Sequence, residues 1–184
     1  MSVLPNGVVR GRRNPLHWGV PARLKRARKA AALSFDSVAQ LAQITDGNTV
    51  FQLECKEGHV ARLETVERIA YALHLSPAFL AYGIDGEANA PAKGLRCEGV
   101  AQRLADARAA CGLSVLAVAK LAGLSHTAVG NVERGTMPTL ATAEALAKAL
   151  DLSPAWLAFG LGPQELQTRR KVRTARTAQP DARD

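Results

Sequence analysis

Apolar residues recur at helical spacing along most of the chain, and glycine, serine and proline interrupt them at short intervals. The first such segment of the second half, about residues 98–111, places its apolar positions on one helical face at Val100, Leu104, Ala107 and Cys111. Gly112 predicts the end of this helix, and Ser114 is placed to cap the next one.

The same pattern predicts four further helices in this half. They are Val115–Ala122, His126–Arg134, Leu140–Leu150 and a short helix opened by Pro154. We expect Val118, Ala119 and Leu121 to face inward, and Trp156 and Leu157 to close the core.

The chain repeats itself. Shifted by 80 residues, Gly19–Thr45 aligns with Gly99–Ser125 and 13 of 27 pairs are identical. Shifted by 77, Leu63–Gly83 aligns with Leu140–Gly160, and LSPAFLAYG faces LSPAWLAFG. Chance similarity does not keep Gly, Ser, Pro and Arg in register. The sequence therefore predicts an all-α protein with two tandem five-helix domains.

The repeat and the composition divide the chain into five segments. We predict a basic N-terminal arm (1–18), a first domain (19–83), a linker (84–98), a second domain (99–160) and a basic disordered tail (161–184). The linker, extended, could span roughly 50 Å.

Charge favours a polyanionic partner such as nucleic acid. The formal net charge is +8, yet it is uneven: residues 1–33 carry eight Lys or Arg and no acid, whereas residues 34–92 carry three basic and eight acidic residues. The basic ends could bind phosphate, although a solvated surface explains much of this charge.

Few residues point to chemistry or to a membrane. The cysteines Cys55, Cys97 and Cys111 lack metal-ligand spacing and are interpreted as reduced thiols. No nucleophile–base pair, phosphate loop or long apolar stretch stands out. We expect a cytoplasmic, nucleoid-associated protein without a cofactor, a metal, a membrane contact or enzymatic activity.

The second and third helices of each copy are spaced as in a helix-turn-helix. Gly123 provides the turn, and the small residues Ala119 and Ala122 allow close packing, which leaves one face of the third helix free for a major groove. Periodicity alone equally allows an ordinary small helical bundle.

The order of residues resembles the lambda-repressor-like, Cro-type (XRE) helix-turn-helix family. The resemblance is carried by Arg108, LS at 113–114, VAKLAGLS, VxxVExG from Val129 to Gly135, and LDLSPAWL, and it covers about 19–83 and 99–160. It implies two structural ion pairs, Arg28 with Glu54 and Arg108 with Glu133. It implies base-reading residues at His126, Thr127 and Asn131 in the second copy and at Asn48 and Gln52 in the first. Phosphate contacts are implied for Arg134, Thr136, Lys56, His59 and Arg62.

Two departures from the family concern the first copy most. The family commonly has glutamine at the first position of the second helix, where this chain has Phe35 and Val115. In the first copy, a glycine and an extra residue fall where the third helix should begin. Asp46, Glu54 and Glu57 lower its expected affinity for phosphate.

The resemblance predicts a sequence-specific DNA-binding transcriptional regulator, a repressor, acting on double-stranded DNA as a pseudo-dimer or a homodimer. Arg10, Arg12 and Arg13 could lie in a minor groove, or the arm could simply be solvated. The alternative is a protein-interaction module, similar to an antiactivator or antitoxin, that binds a protein partner through the first domain.

Overall fold

The computed structural model describes residues 15–56 and 61–165, and these residues are helical without strands, as the sequence predicts. The α-helices are α1 (Val20–Ala30), α2 (Phe35–Leu41), α3 (Gly47–Cys55), α4 (Leu63–Ala72), α5 (Pro77–Tyr82), α6 (Val100–Ala110), α7 (Val115–Ala122), α8 (His126–Glu133), α9 (Leu140–Ala149) and α10 (Pro154–Phe159). Two short 3₁₀ helices, η1 (Leu16–Gly19) and η2 (Arg96–Gly99), precede α1 and α6. The expected arm residues Arg10, Arg12 and Arg13, the loop residues Glu57 and His59, and residues 166–184 of the expected tail lie outside the described residues. Residues 161–165, expected to begin a disordered tail, are instead part of the fold, because Leu161 is buried and the N–H of Ser153 donates to the carbonyl of Gln164 at 2.8 Å.

Side-chain caps begin five of the ten α-helices in the described residues, four of them through a hydroxyl. The hydroxyls of Ser34, Ser114, Ser125 and Thr139 each accept a hydrogen bond from the backbone N–H three residues further on, at 3.0–3.1 Å. Gly123 ends α7 with φ 67°, a left-handed conformation that costs glycine little. The helix expected at 98–111 is in fact η2 followed by α6.

The helices of each half pack mainly on one another, and the buried apolar residues of both halves form one continuous core. In the first half (α1–α5), α3 packs on α1 and α2, and α4 packs on α5; in the second half (α6–α10), α8 packs on α6 and α7, and α9 packs on α10. Leu157 is fully buried as expected, while Trp156 is only partly buried and Phe159 fills the interior beside it.

The prediction that Leu121 faces inward is wrong. Val118 and Ala119 define the buried face of α7, and Leu121 is 61% exposed. At about 100° per residue, Leu121 lies roughly 110° around the helix axis from the centre of that face. Seven of the eight residues of α7 are apolar, so its sequence pattern does not define which side of the helix is buried.

One arginine in each half fastens its first helix to its last. The guanidinium of Arg23 donates to the carbonyls of Leu80 and Ala81 at 2.9 and 2.8 Å, and Arg103 donates to the matching carbonyls of the second half at 2.8 and 2.7 Å. Burial lowers the pKa of both arginines. A Cβ at Gly19 would collide with the Arg23 guanidinium, which explains why glycine stands there.

The two halves pack directly against each other along a twofold-like seam. The N–H of Leu63 donates to the carbonyl of Pro138 at 3.2 Å, and the N–H of Leu140 donates to the carbonyl of Ala61 at 2.9 Å. Leu63 corresponds to Leu140, and Ala61 to Pro138, in the repeat offset by 77 residues. Each of these hydrogen bonds is therefore the repeat equivalent of the other. The Tyr82 ring also meets its counterpart Phe159, at 6.3 Å between centroids, where α5 packs on α10.

Each half also holds the 3₁₀ helix of the other. Glu67 of α4 accepts hydrogen bonds from the N–H groups of Arg96 and Cys97 in η2, at 2.7 and 2.9 Å. Its counterpart Glu144 of α9 accepts from the N–H groups of Leu16 and His17 in η1, at 2.7 and 3.2 Å. Contacts that exchange in this way are the mark of an isologous interface, formed here within one chain.

The contacts at the seam modify the prediction that residues 84–98 form a linker. Arg96, Cys97 and Glu98 belong to η2, which packs on α4 and α10. Residues 85–90 are exposed and nonhelical. The halves are therefore held together by packing, and the connection between them is not stretched.

Candidate nucleic-acid interface

The second half presents α7, a short turn and α8 in helix-turn-helix geometry. The pair is bent by 117°, within the range of about 90–120° typical of this motif. Gly123 makes the turn and Ser125 caps α8 through the N–H of Ala128. Val129 and Val132 anchor α8 in the interior.

The opposite side of α8 is open to a ligand. His126 and Thr127 are exposed at its N-terminal end, and Asn131 is partly buried further along. Arg134 follows α8 and donates from its guanidinium to the side-chain oxygen of Asn131 at 2.5 Å. Gly130 leaves room for this guanidinium, since a Cβ there would lie 3.1 Å from an Arg134 nitrogen.

The loop after α8 continues from this surface. Thr136 is exposed, and its N–H donates to the carbonyl of Asn131 at 2.9 Å. The expected contact residues His126, Thr127, Asn131, Arg134 and Thr136 thus belong to one continuous stretch of chain around α8.

In the first half, α3 begins at the glycine that the sequence marked as a disturbance. The carboxylate of Asp46 accepts from the N–H of Thr49 at 3.1 Å and caps the helix. Gly47 is buried against Asp36 of α2, and a Cβ at this position would collide with the Asp36 carboxylate. The glycine therefore permits close packing of α2 and α3, and Asp46 stabilises the start of the helix.

Among the expected contact residues of the first half, Asn48, Lys56 and Arg62 are exposed and Gln52 is partly buried. Asn48 and Gln52 lie on α3, and Lys56 is its first flanking residue. Arg62 lies apart from them, as the residue before α4, and its backbone pairs with Thr139 at the seam.

Buried residues align α3 with α8. The corresponding pairs are Val50 with Val129, Leu53 with Val132, and Glu54 with Glu133. In this register the first reading stripe, Asn48–Phe51–Gln52–Cys55, corresponds to the second reading stripe, Thr127–Gly130–Asn131–Arg134. Residues at such spacing lie along one side of a helix.

Phe51 is a surface residue that the sequence reasoning missed. It is 41% exposed, and its ring meets that of Phe35 edge to face, at 5.5 Å between centroids. The Arg28 guanidinium stacks over Phe35 at 4.2 Å. Phe35, the departure from the family's glutamine, thus braces α3 through an aromatic contact. The phenylalanine at position 35, where the family commonly has glutamine, was the signal in the sequence for this contact.

The two arginine–glutamate pairs implied by the resemblance are both formed. Arg28 donates to the two carboxylate oxygens of Glu54 at 2.7 Å each, and Arg108 donates to those of Glu133 at 2.6 and 3.2 Å. These hydrogen bonds raise the pKa of both arginines. The negative charge of Glu54 is therefore balanced by Arg28, and it adds little to the net negative charge of the surface around α3.

Within the described residues, no group of three or more His, Cys, Asp or Glu is arranged to hold a metal ion. Over the same residues, no single helix is long and apolar enough to cross a membrane; the bent pair α7–α8 meets the length and composition requirement only when its two helices are taken together.

Comparison with known proteins found a family match within the second half. Residues 104–157, from α6 into α10, match a family model described as helix-turn-helix. Neither the curated proteins nor the solved structures gave a match. Residues 104–157 include α7, its turn and α8, and the match supports an XRE-type helix-turn-helix in this part of the chain.

Proposed function

We propose that the chain is a sequence-specific DNA-binding transcriptional regulator, a repressor, with two tandem helix-turn-helix domains at residues 19–83 and 99–160. The observation that carries the proposal is the open side of α8 within a matched helix-turn-helix. The first half supports it with the same helix order, the same arginine–glutamate pair and an equivalent open side on α3.

The seam supports a pseudo-dimer as the DNA-binding unit. The chain segments that follow α3 and α8 meet there through the Ala61–Leu140 and Pro138–Leu63 hydrogen bonds. A twofold-like relation between the reading helices suits the local twofold symmetry of duplex DNA. Because the two halves already form a twofold-like pair within one chain, we propose a monomer that covers two half-sites and represses by occupying them.

Charge supports binding to the phosphate backbone. Lys25, Arg26 and Lys29 are exposed on α1, and the net charge of the chain is +8. Binding that releases counterions weakens steeply as salt rises. The proposal places the protein in the cytoplasm on chromosomal DNA, and includes neither a cofactor nor catalysis.

The test is selection from random duplex DNA with the full chain, followed by titration of the selected site by fluorescence anisotropy. We expect an enriched sequence spanning at least one helical turn, bound by one chain per duplex. Asn131→Ala should cost about 1–3 kcal/mol of discrimination at one base pair. Lys93→Ala, at an exposed position between the halves, is the control and should keep the same preference. Failure to enrich any sequence would overturn the proposal.

A second candidate is a protein-interaction module, similar to an antiactivator or antitoxin, acting through the first half. Two observations favour it: residues 34–92 carry eight acidic against three basic residues, and Cys55 occupies the place of Arg134. In that case a stable partner should bind without DNA, and the joint variant Asn131→Ala/Arg134→Ala should keep its function in cells.

A further inference from the structure

The two reading stripes differ in chemistry at three of their four matched positions, and only Gln52 and Asn131 offer the same group, an amide. Asn48, Phe51, Gln52 and Cys55 offer two amides, an aromatic ring and a thiol, whereas Thr127, Gly130, Asn131 and Arg134 offer a hydroxyl, a bare backbone position, an amide and a guanidinium. We infer that α3 and α8 read different base pairs, so that the operator has two unlike half-sites and the chain binds it in one orientation. This inference rests on the proposed DNA-binding function.

The Phe51 ring is fixed in place before any ligand arrives. It packs edge to face with Phe35, with the ring planes at 84°, and the Arg28 guanidinium lies over the Phe35 ring. Arg28 is itself held by the Glu54 carboxylate. The ring remains 41% exposed in the middle of the stripe, so it offers an apolar surface to a ligand that lies along α3.

The apolar group that a major groove offers is the C5-methyl group of thymine. Asn48 lies three residues before Phe51, and Gln52 directly follows it. Their amides can pair with N6 and N7 of adenine, the base opposite thymine. The first reading stripe carries no cation to favour guanine, so its chemistry fits A·T pairs.

The second reading stripe fits guanine. Gly130 leaves room for the Arg134 guanidinium, which reaches back along α8 to the Asn131 side chain. This places a cation on the second reading stripe. A guanidinium can donate two hydrogen bonds to O6 and N7 of guanine, and this pairing is the commonest specific contact of arginine with a base. Cys55, at the matching position of α3, cannot make it.

The experiment uses the full chain and the site selected as described above. We expect one half-site of A·T pairs and one that contains guanine. Deoxyuridine is then placed singly at each thymine of the A·T half-site, which removes only the methyl group. At one position the affinity of the unaltered chain should fall roughly fourfold, the value of one buried methyl group.

Three variants assign the two contacts. Phe51→Ala should bind thymine and deoxyuridine equally at that position. Leu41→Ala removes an apolar residue that is 57% exposed on α2 and should keep the fourfold difference. Arg134→Ala should lose roughly 10- to 100-fold in preference for guanine in the other half-site.

The outcomes separate this inference from the proposed function. Failure to enrich any sequence overturns the proposed function. A selected site with two like half-sites keeps that function and overturns the inference, as does indifference to deoxyuridine at every thymine. The deoxyuridine measurement on the unaltered chain decides the point even if Phe51→Ala does not fold. A Phe51→Ala chain that keeps its thymine preference, while losing a protein partner, overturns the inference in favour of a protein contact.

Discussion

Glu67 and Glu144 make the same two backbone contacts across the seam, from opposite halves and in different surroundings. Glu67 is 0% exposed and also accepts from the Tyr71 hydroxyl at 2.7 Å. Glu144 keeps 18% of its side chain exposed and contacts the His17 imidazole at 2.6 Å. The shared part of the arrangement is the pair of N–H groups at the start of a 3₁₀ helix. The surroundings of each carboxylate are free to differ.

The difference indicates where the strength of the seam resides. A buried carboxylate that loses its partners cannot turn to water, and donors left behind in an apolar interior remain unsatisfied. Around Glu144, water can replace what is lost. We therefore expect the η2 side of the seam to hold the halves together more strongly than the η1 side.

Glu67→Ala should give the largest loss of stability. It leaves the N–H groups of Arg96 and Cys97 and the Tyr71 hydroxyl without their acceptor, and we expect about 3–5 kcal/mol less free energy of unfolding, measured by urea denaturation. Glu64→Ala on the same helix removes an exposed ion pair with Arg68, and this control should cost at most about 0.5 kcal/mol.

Glu144→Ala should cost less, about 1–2 kcal/mol in the same measurement, because water can reach the N–H groups of Leu16 and His17. Equal losses for the two glutamates would show that burial does not set the strength of the caps. That result would remove the distinction between the two sides of the seam.

Alkaline pH should weaken the η2 side selectively. Burial, reinforced by the hydrogen bond to Glu67, raises the pKa of the Cys97 thiol. The unfolded thiol ionises near pH 8.5–9 while the folded thiol stays protonated, so the free energy of unfolding should fall as pH rises above this range, by about 1 kcal/mol between pH 9 and 10. Cys97→Ala should remove that part of the slope in urea titrations, whereas Cys111→Ala, at an exposed thiol, should leave it unchanged.

His17→Ala should have the smallest effect. The imidazole shares the Glu144 carboxylate with two backbone N–H groups that remain after the substitution, and the pair is partly exposed. We expect a loss of about 0.5 kcal/mol that shrinks further in high salt. A loss as large as that of Glu144→Ala would mean that the imidazole, and not the backbone, is what the carboxylate holds.

The sequence predicts what depends on neighbours along the chain. Helical periodicity, the capping serines, the left-handed turn at Gly123 and the arginine–glutamate pairs are all legible from local spacing or from the resemblance. The direction of Leu121 is not, because seven of the eight residues of α7 are apolar, and its buried face stays undefined until the other helices pack on it.

The contacts across the seam cannot be predicted from local sequence patterns. Glu67 and Glu144 contact backbone N–H groups of the opposite half. Because every residue except proline has such a group, the sequence does not mark which N–H groups these carboxylates contact. Both matched positions of the repeat hold glutamate, which was a signal of a shared role. A charged residue in an amphipathic helix, however, is ordinarily exposed to solvent. Phe51 was missed for a related reason: an aromatic residue in a helix is ordinarily interpreted as core.

An interface formed within one chain has a consequence for dosage. Two separate subunits must find each other, so the population of a dimer falls with the square of concentration when copies are scarce, and its stability depends on concentration as well. Here the opposing surface is always present at the same effective concentration, which the connection between the halves sets. On the proposed function, operator occupancy should therefore follow the number of chains in simple proportion at low copy number, and the regulator should respond to its own dilution gradually, without a threshold.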